Sequence, residues 1–169
     1  GREDLIVSAS AGSDGFDGSP ISRVLFAKSD GGFTSPAPLP IFDPSLTILS
    51  AADLNGDGLS DVALIGTLGV RVLLGDKEAP LAGEPIDIFT PTALTGPSFA
   101  DAVSGVRDLN GDGRSDLLIG APSLGKVYLY AGGESGPDPG SPTMTLEGLE
   151  KIPGFGSSLA WRIPYGTAP

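Results

Sequence analysis

Apolar residues fall in short runs along this chain, each closed by glycine, proline or an acidic cluster. Two stretches align on their acidic starts. One runs from Asp61 through Val62-Ala63-Leu64-Ile65-Gly66 and a glycine-containing turn into Val70-Arg71-Val72-Leu73-Leu74-Gly75. The other runs from Asp116 through Leu117-Leu118-Ile119-Gly120 and a second such turn into Lys126-Val127-Tyr128-Leu129-Tyr130-Ala131-Gly132-Gly133. Each pairs a short apolar strand with a strand rich in β-branched or aromatic residues, the pattern of a β-hairpin. The patterning predicts strands at 45–51, 61–66, 70–75 and 86–90, then at 99–106, 116–120, 126–131 and 143–147. Segments 76–85 and 132–142 carry glycine, proline and acids and read as exposed connections. Near the N-terminus, Leu5-Ile6-Val7-Ser8-Ala9-Ser10, a longer turn from Ala11 to Pro20 and Ser22-Arg23-Val24-Leu25-Phe26-Ala27 repeat the theme.

Ahead of each hairpin stands the same nine-residue loop: Asp53-Leu54-Asn55-Gly56-Asp57-Gly58-Leu59-Ser60-Asp61, and 55 residues later Asp108-Leu109-Asn110-Gly111-Asp112-Gly113-Arg114-Ser115-Asp116. Side-chain oxygens occupy positions 1, 3, 5 and 9. Calcium takes six to eight oxygen ligands at roughly 2.3–2.6 Å, and the D-x-N-x-D spacing turns side chains 1, 3 and 5 inward onto one ion. Glycine at position 6 permits a sharp reversal. The carbonyl of position 7 then faces the ion and the aspartate at position 9 closes the cage. Asx-rich turns without metal use the same residues, but two copies at one spacing favour two Ca²⁺ sites. An EF-hand would need a bidentate glutamate at position 12 and flanking helices; position 12 is Leu64 or Ile119, and the flanks read as strands.

Composition narrows the chemistry. The 169 residues suffice for one β domain with a core, and the 26 glycines and 16 prolines are the turns of an all-β protein. The chain has neither cysteine nor histidine. Disulfides, thiolate zinc sites, Ser-His-Asp triads and most transition-metal sites are thereby excluded. Bound calcium can serve as a staple in place of disulfides. A net charge of −11 argues against nucleic acid as a partner. The longest apolar stretch, Val62 to Leu74, is broken by Gly66, Gly69 and Arg71 and is too short to span a bilayer, so no membrane insertion is expected.

The hairpin-plus-loop unit recurs, and both ends cut across it. Asp4 stands where position 9 of an earlier loop would fall. Gly154-Phe155-Gly156-Ser157-Ser158-Leu159-Ala160 resembles the segment Pro97 to Val103 that precedes the second loop. A period of about 40–60 residues with four short strands per unit points to propeller blades.

In the third unit Phe99-Ala100 stands at a Phe-Gly position, Gly120-Ala121-Pro122 spells a Gly-Ala-Pro turn, and Gly125 to Tyr130 follows G-x-V-Y-x-Y. With Asp108 to Asp116 as the calcium loop, these residues resemble FG-GAP repeats, the blades of the seven-bladed propeller in integrin α-subunit heads and many bacterial surface proteins. The second unit keeps the loop but has Ile65-Gly66-Thr67 in place of the turn motif, and the first has only Val7-Ser8-Ala9. The resemblance implies a single all-β domain over 1–169, with about three FG-GAP-type propeller blades of four antiparallel strands, incomplete at both ends. The blades fall at about 1–44, 45–96 and 97–153, with a further one starting at 154–169. It implies two Ca²⁺ ions, held by Asp53, Asn55, Asp57, the Leu59 carbonyl and Asp61, and by Asp108, Asn110, Asp112, the Arg114 carbonyl and Asp116. A closed ring needs about seven blades. The chain is then a piece of a longer protein, completes a ring or filament with other copies of itself, or takes a different compact β fold.

Other features weigh less. Asp14-Gly15-Phe16-Asp17-Gly18 reads as a Gly-rich turn before it reads as an ion site. Phe99, Phe155, Tyr128, Tyr130 and Trp161 offer faces for sugars, but packing between strands is the simpler role. Glu78, Glu84, Glu134, Glu147 and Glu150 form no pair suited to glycoside hydrolysis, and no enzyme activity is expected. The functional expectation is an extracellular or cell-surface structural or adhesive protein. Its partners are other copies of itself or another protein, with glycan binding as the alternative.

Overall fold

The computed structural model describes residues 5–9, 21–25, 32, 37–38, 47–66, 69–76, 83–89, 102–149 and 154–160. Expectations resting on Asp4, 11–20, Glu78, Phe99 and Trp161 lie outside the described residues. Eleven strands are described, grouped into three antiparallel sheets. β1 (Leu5–Ala9), β2 (Ile21–Leu25) and β3 (Ala37–Pro38) form the first. The second is the meander β4 (Thr47–Ala52), β5 (Asp61–Gly66), β6 (Gly69–Leu73), β7 (Ile86–Phe89). The third is β8 (Ala102–Val106), β9 (Asp116–Ala121), β10 (Lys126–Tyr130), β11 (Met144–Glu147). The acidic loops join β4 to β5 and β8 to β9, the first two strands of each four-stranded sheet.

Register explains the pairing. In the second sheet Ala63 faces Val72 and Ile65 faces Val70; in the third, Leu117 faces Tyr130 and Ile119 faces Tyr128. Because side chains alternate across a strand, Ala63, Ile65, Val70, Val72, Ile86 and Ile88 share one face. Val103, Leu117, Ile119, Ala121, Tyr128 and Tyr130 share another. These two faces pack into one core, in which Val72, Ile88, Leu117, Ile119 and Ala121 are fully buried. β8 lies against both β4 and β5, closing the seam at the loop-bearing edge. Val62 and Leu64 on the other face of β5 are also buried, which is why β5 reads as an unbroken apolar run rather than an alternating one.

Between β9 and β10 the chain makes one 3-10 turn, Pro122–Leu124, and reverses at Gly125, whose φ of 61° is left-handed. Residues 154–160 return to the outer face of the third sheet. A Cβ on Gly120 would run into the Gly156 carbonyl, and Phe155 lies against Gly148. Tyr128 and Tyr130 are buried in the core, so stacking between strands and not on sugars is their role.

Candidate metal centres

Both acidic loops fold by the same set of hydrogen bonds. In the first, the N–H groups of Gly56 and Asp57 donate to Asp53 Oδ1 at 2.7 and 3.1 Å, and Gly58 N–H donates to Asp53 Oδ2 at 2.9 Å. In the second, Gly111 and Asp112 donate to Asp108 Oδ1, and Gly113 to Asp108 Oδ2. Asn55 Oδ1 accepts from Asp57 N–H, and Asp57 Oδ1 from Leu59 N–H; Asn110 and Asp112 repeat both bonds. Glycines at loop positions 4 and 6 are left-handed in both copies, with φ of 81° and 83° at Gly56 and Gly58. Position 4 escaped the spacing argument, which needed only one reversal.

The ninth residue is different in kind. Asp61 and Asp116 are fully buried. Asp61 Oδ2 accepts from Leu54 N–H at 2.7 Å and its Oδ1 from Gly75 N–H at 2.8 Å. Asp116 accepts from Leu109 N–H at 2.8 Å and from Gly132 N–H at 3.1 Å. Each thus ties its loop to the residue just past the hairpin's second strand. Close approach makes that residue glycine, since a Cβ on Gly75 would lie 2.8 Å from the Ser60 carbonyl. Gly132 meets the Ser115 carbonyl in the same way. The signal was present in sequence, as both hairpins end in a glycine, but its partner was not.

Electrostatics separates the buried ninth-position aspartate from the half-buried first-position one. Burial raises the Asp61 pKa most, backbone bonds from Gly75 and Leu54 oppose this, and the nearby carboxylates of Asp57 and Asp53 add to the rise. Asp108 is lowered, chiefly by the backbone bond from Gly113. Among the described residues no three carboxylates converge into a tight cluster. The donor set nonetheless fits a hard cation: three carboxylates, an amide oxygen and a carbonyl in each loop, with Asp53 and Asp57 near enough to Asp61 to disfavour its charge.

The structure also corrects the view of 132–142 as a plain exposed connection. Pro137 is fully buried, and a Cβ on Gly136 would press on Ile86 and Leu74. Gly133 N–H donates to the Leu54 carbonyl at 3.0 Å, and Ser115 N–H to the Asp53 carbonyl at 2.8 Å. Arg114 Nε donates to the Asn55 carbonyl at 3.2 Å. A strap from the third sheet therefore crosses onto the first acidic loop. Sequence spacing gave Arg114 only a carbonyl role and missed its side chain.

Two carboxylates outside the loops are paired across strands: Asp87 takes a two-pronged bond from Arg71, its partner in register, and Glu147 meets Lys126 at 2.9 Å.

Residues 99–130 match the family model described as FG-GAP repeat. The chain is 34% identical over 131 residues to integrin alpha-PS5 of Drosophila melanogaster, covering 69% of this chain and 12% of that protein. It is 42% identical over 126 residues to integrin alpha-6 of Homo sapiens, covering 66% and 10%. A third relative is phosphatidylinositol-glycan-specific phospholipase D of Mus musculus, 30% identical over 130 residues, covering 59% and 14%. The chain thus spans a small part of the length of each.

Proposed function

Since the chain belongs to the FG-GAP repeat family, we propose that it is a calcium-stabilised structural element of cell adhesion, built from propeller-type blades and acting through contacts with other proteins. It belongs outside the cell or at the cell surface, like the integrin α-subunits it is similar to. No helix among the described residues is long and apolar enough to cross a membrane.

The observation that carries this reading is the bond-for-bond identity of the two loops, each ending in a fully buried aspartate. Asp53, Asn55, Asp57, the Leu59 carbonyl and Asp61 would hold one ion. Asp108, Asn110, Asp112, the Arg114 carbonyl and Asp116 would hold the other. Calcium supplies the positive charge that offsets the mutual repulsion of the carboxylates. The loop backbone, already folded around Asp53 and Asp108, keeps positions 3 and 5 aimed as ligands. The buried ninth residue transmits the loop's order to the hairpin end.

The role is mechanical and not catalytic. Outside the loops, Asp87 and Glu147 serve in cross-strand ion pairs and Glu134 meets Arg114, roles that are structural. The likeness to a phospholipase D covers a small part of that enzyme, and no reaction is assigned to this chain.

Thermal unfolding tests the reading. Sites of this class bind at roughly 10⁻⁴–10⁻³ M, so about 10 mM calcium stabilises each by roughly 1.4–2.7 kcal/mol. With two sites filled, the melting temperature rises by roughly 10 °C over that in EDTA. Magnesium, which demands a smaller octahedral site, gives much less. Melts that coincide in calcium and EDTA would count against calcium as the staple.

A further inference from the structure

The two acidic loops share a fold, yet they differ in what braces them from outside. Three consecutive carbonyls of the first loop, on Asp53, Leu54 and Asn55, accept bonds from Ser115, Gly133 and Arg114 of the next unit. The Arg114 side chain also lies over Gly56, where a Cβ would come within 3.1 Å of its Cγ. Leu54, at position 2 of the first loop, is 1% exposed; Leu109, at position 2 of the second, is 57% exposed. Among the described residues, then, the first loop is roofed and the second is open.

We infer that the second loop and its strap complete the first unit's cation site. Arg114, Ser115 and Gly133 are positioning residues that hold the first loop in its ion-ready shape. This rests on the calcium reading above. A first loop stripped of these bonds would have to order its backbone when the ion arrives, and that entropy would be subtracted from affinity. The braced loop has met that cost in folding. The guanidinium acts in the opposite sense through its charge, which repels a cation, although Glu134 stands 3.7 Å from Arg114 and offsets part of it. The inference is that bracing outweighs repulsion.

Calorimetric calcium titration of the full chain decides it, with Asp57→Asn and Asp112→Asn used to assign each ion to its loop. Two bound ions are expected, one lost in Asp57→Asn and the other in Asp112→Asn. Arg114→Ala weakens the first loop's ion by roughly five- to tenfold, the scale of one hydrogen bond made to hold a loop. Arg114→Lys keeps the charge but lacks the planar Nε donor, and it weakens that ion likewise. In both variants amide exchange at Ser115 and Gly133 quickens, a readout independent of the ion. Unchanged or tighter binding at the first loop in Arg114→Ala would overturn the bracing while leaving calcium binding intact. No ion in either loop would overturn both.

Discussion

Leu54 and Leu109 occupy the same position in the same motif, and their surroundings could hardly differ more. Leu54 is in the core beside Leu117 and Tyr130, whereas Leu109 faces solvent. Truncating a buried leucine removes apolar contacts and leaves a cavity, at a cost of about 2–5 kcal/mol. Truncating an exposed one changes stability by about 0.5 kcal/mol or less. Leu54→Ala is therefore expected to lower the denaturation midpoint sharply in calcium, and Leu109→Ala to leave it nearly unmoved. Comparable losses in urea unfolding of the two variants would contradict the roofed-versus-open description. Local sequence cannot distinguish these residues, because what covers Leu54 arrives from some eighty positions further along the chain.

Among the elements, the outer face of the third sheet shows how closely backbone can pack. β9 crosses under the returning segment 154–160 at Gly120, and no side chain fits between them. Gly120→Ala is expected to push that segment off the sheet and cost about 1–3 kcal/mol, the usual penalty of overpacking. A melting curve and the protease sensitivity of 154–160 would report it, and an unchanged melt would show that the contact adds nothing. At this scale the sequence was most informative. The strands of both four-stranded sheets lie within a few residues of their expected positions, and the acidic loops join the expected pairs. Short apolar runs and Gly-rich turns are local signals, and antiparallel hairpins are built from local contacts. The place of the loops and their reversal at position 6 were legible for the same reason, although the backbone bonds that Asp53 and Asp108 accept were not foreseen. The strap at 131–137 was not. Its Gly and Pro residues signal a turn, and nothing in them names Leu54, Leu74 and Ile86 as the surface it meets. Arg114 was illegible in the same way, because an arginine at loop position 7 resembles any solvated charge until the neighbouring unit is placed against it.

For the whole molecule, the uneven distribution of apolar surface is the feature that matters. Met144, Leu146 and Leu149 are 52%, 45% and 78% exposed along the third sheet's last strand and its exit, and Leu109 adds to the exposed apolar surface at the second loop. Exposed strand edges and apolar faces invite association. In calcium, native mass spectrometry of the chain is expected to show multiples of the monomer. Leu146→Glu should return it to one copy by placing a charge on the face that would be covered. A single copy at every calcium concentration would argue that contacts between copies are not part of its work.

The strap fixes where this protein can be cut and rejoined. A cassette taken from the start of one sheet to the end of the same sheet would leave behind the roof of its own loop. Recombination between homologues should therefore tolerate crossovers placed beyond Pro137 better than crossovers between Phe89 and Ala102. The second kind would set a foreign roof on Leu54, so the portable module is longer than the repeat that the motif marks out.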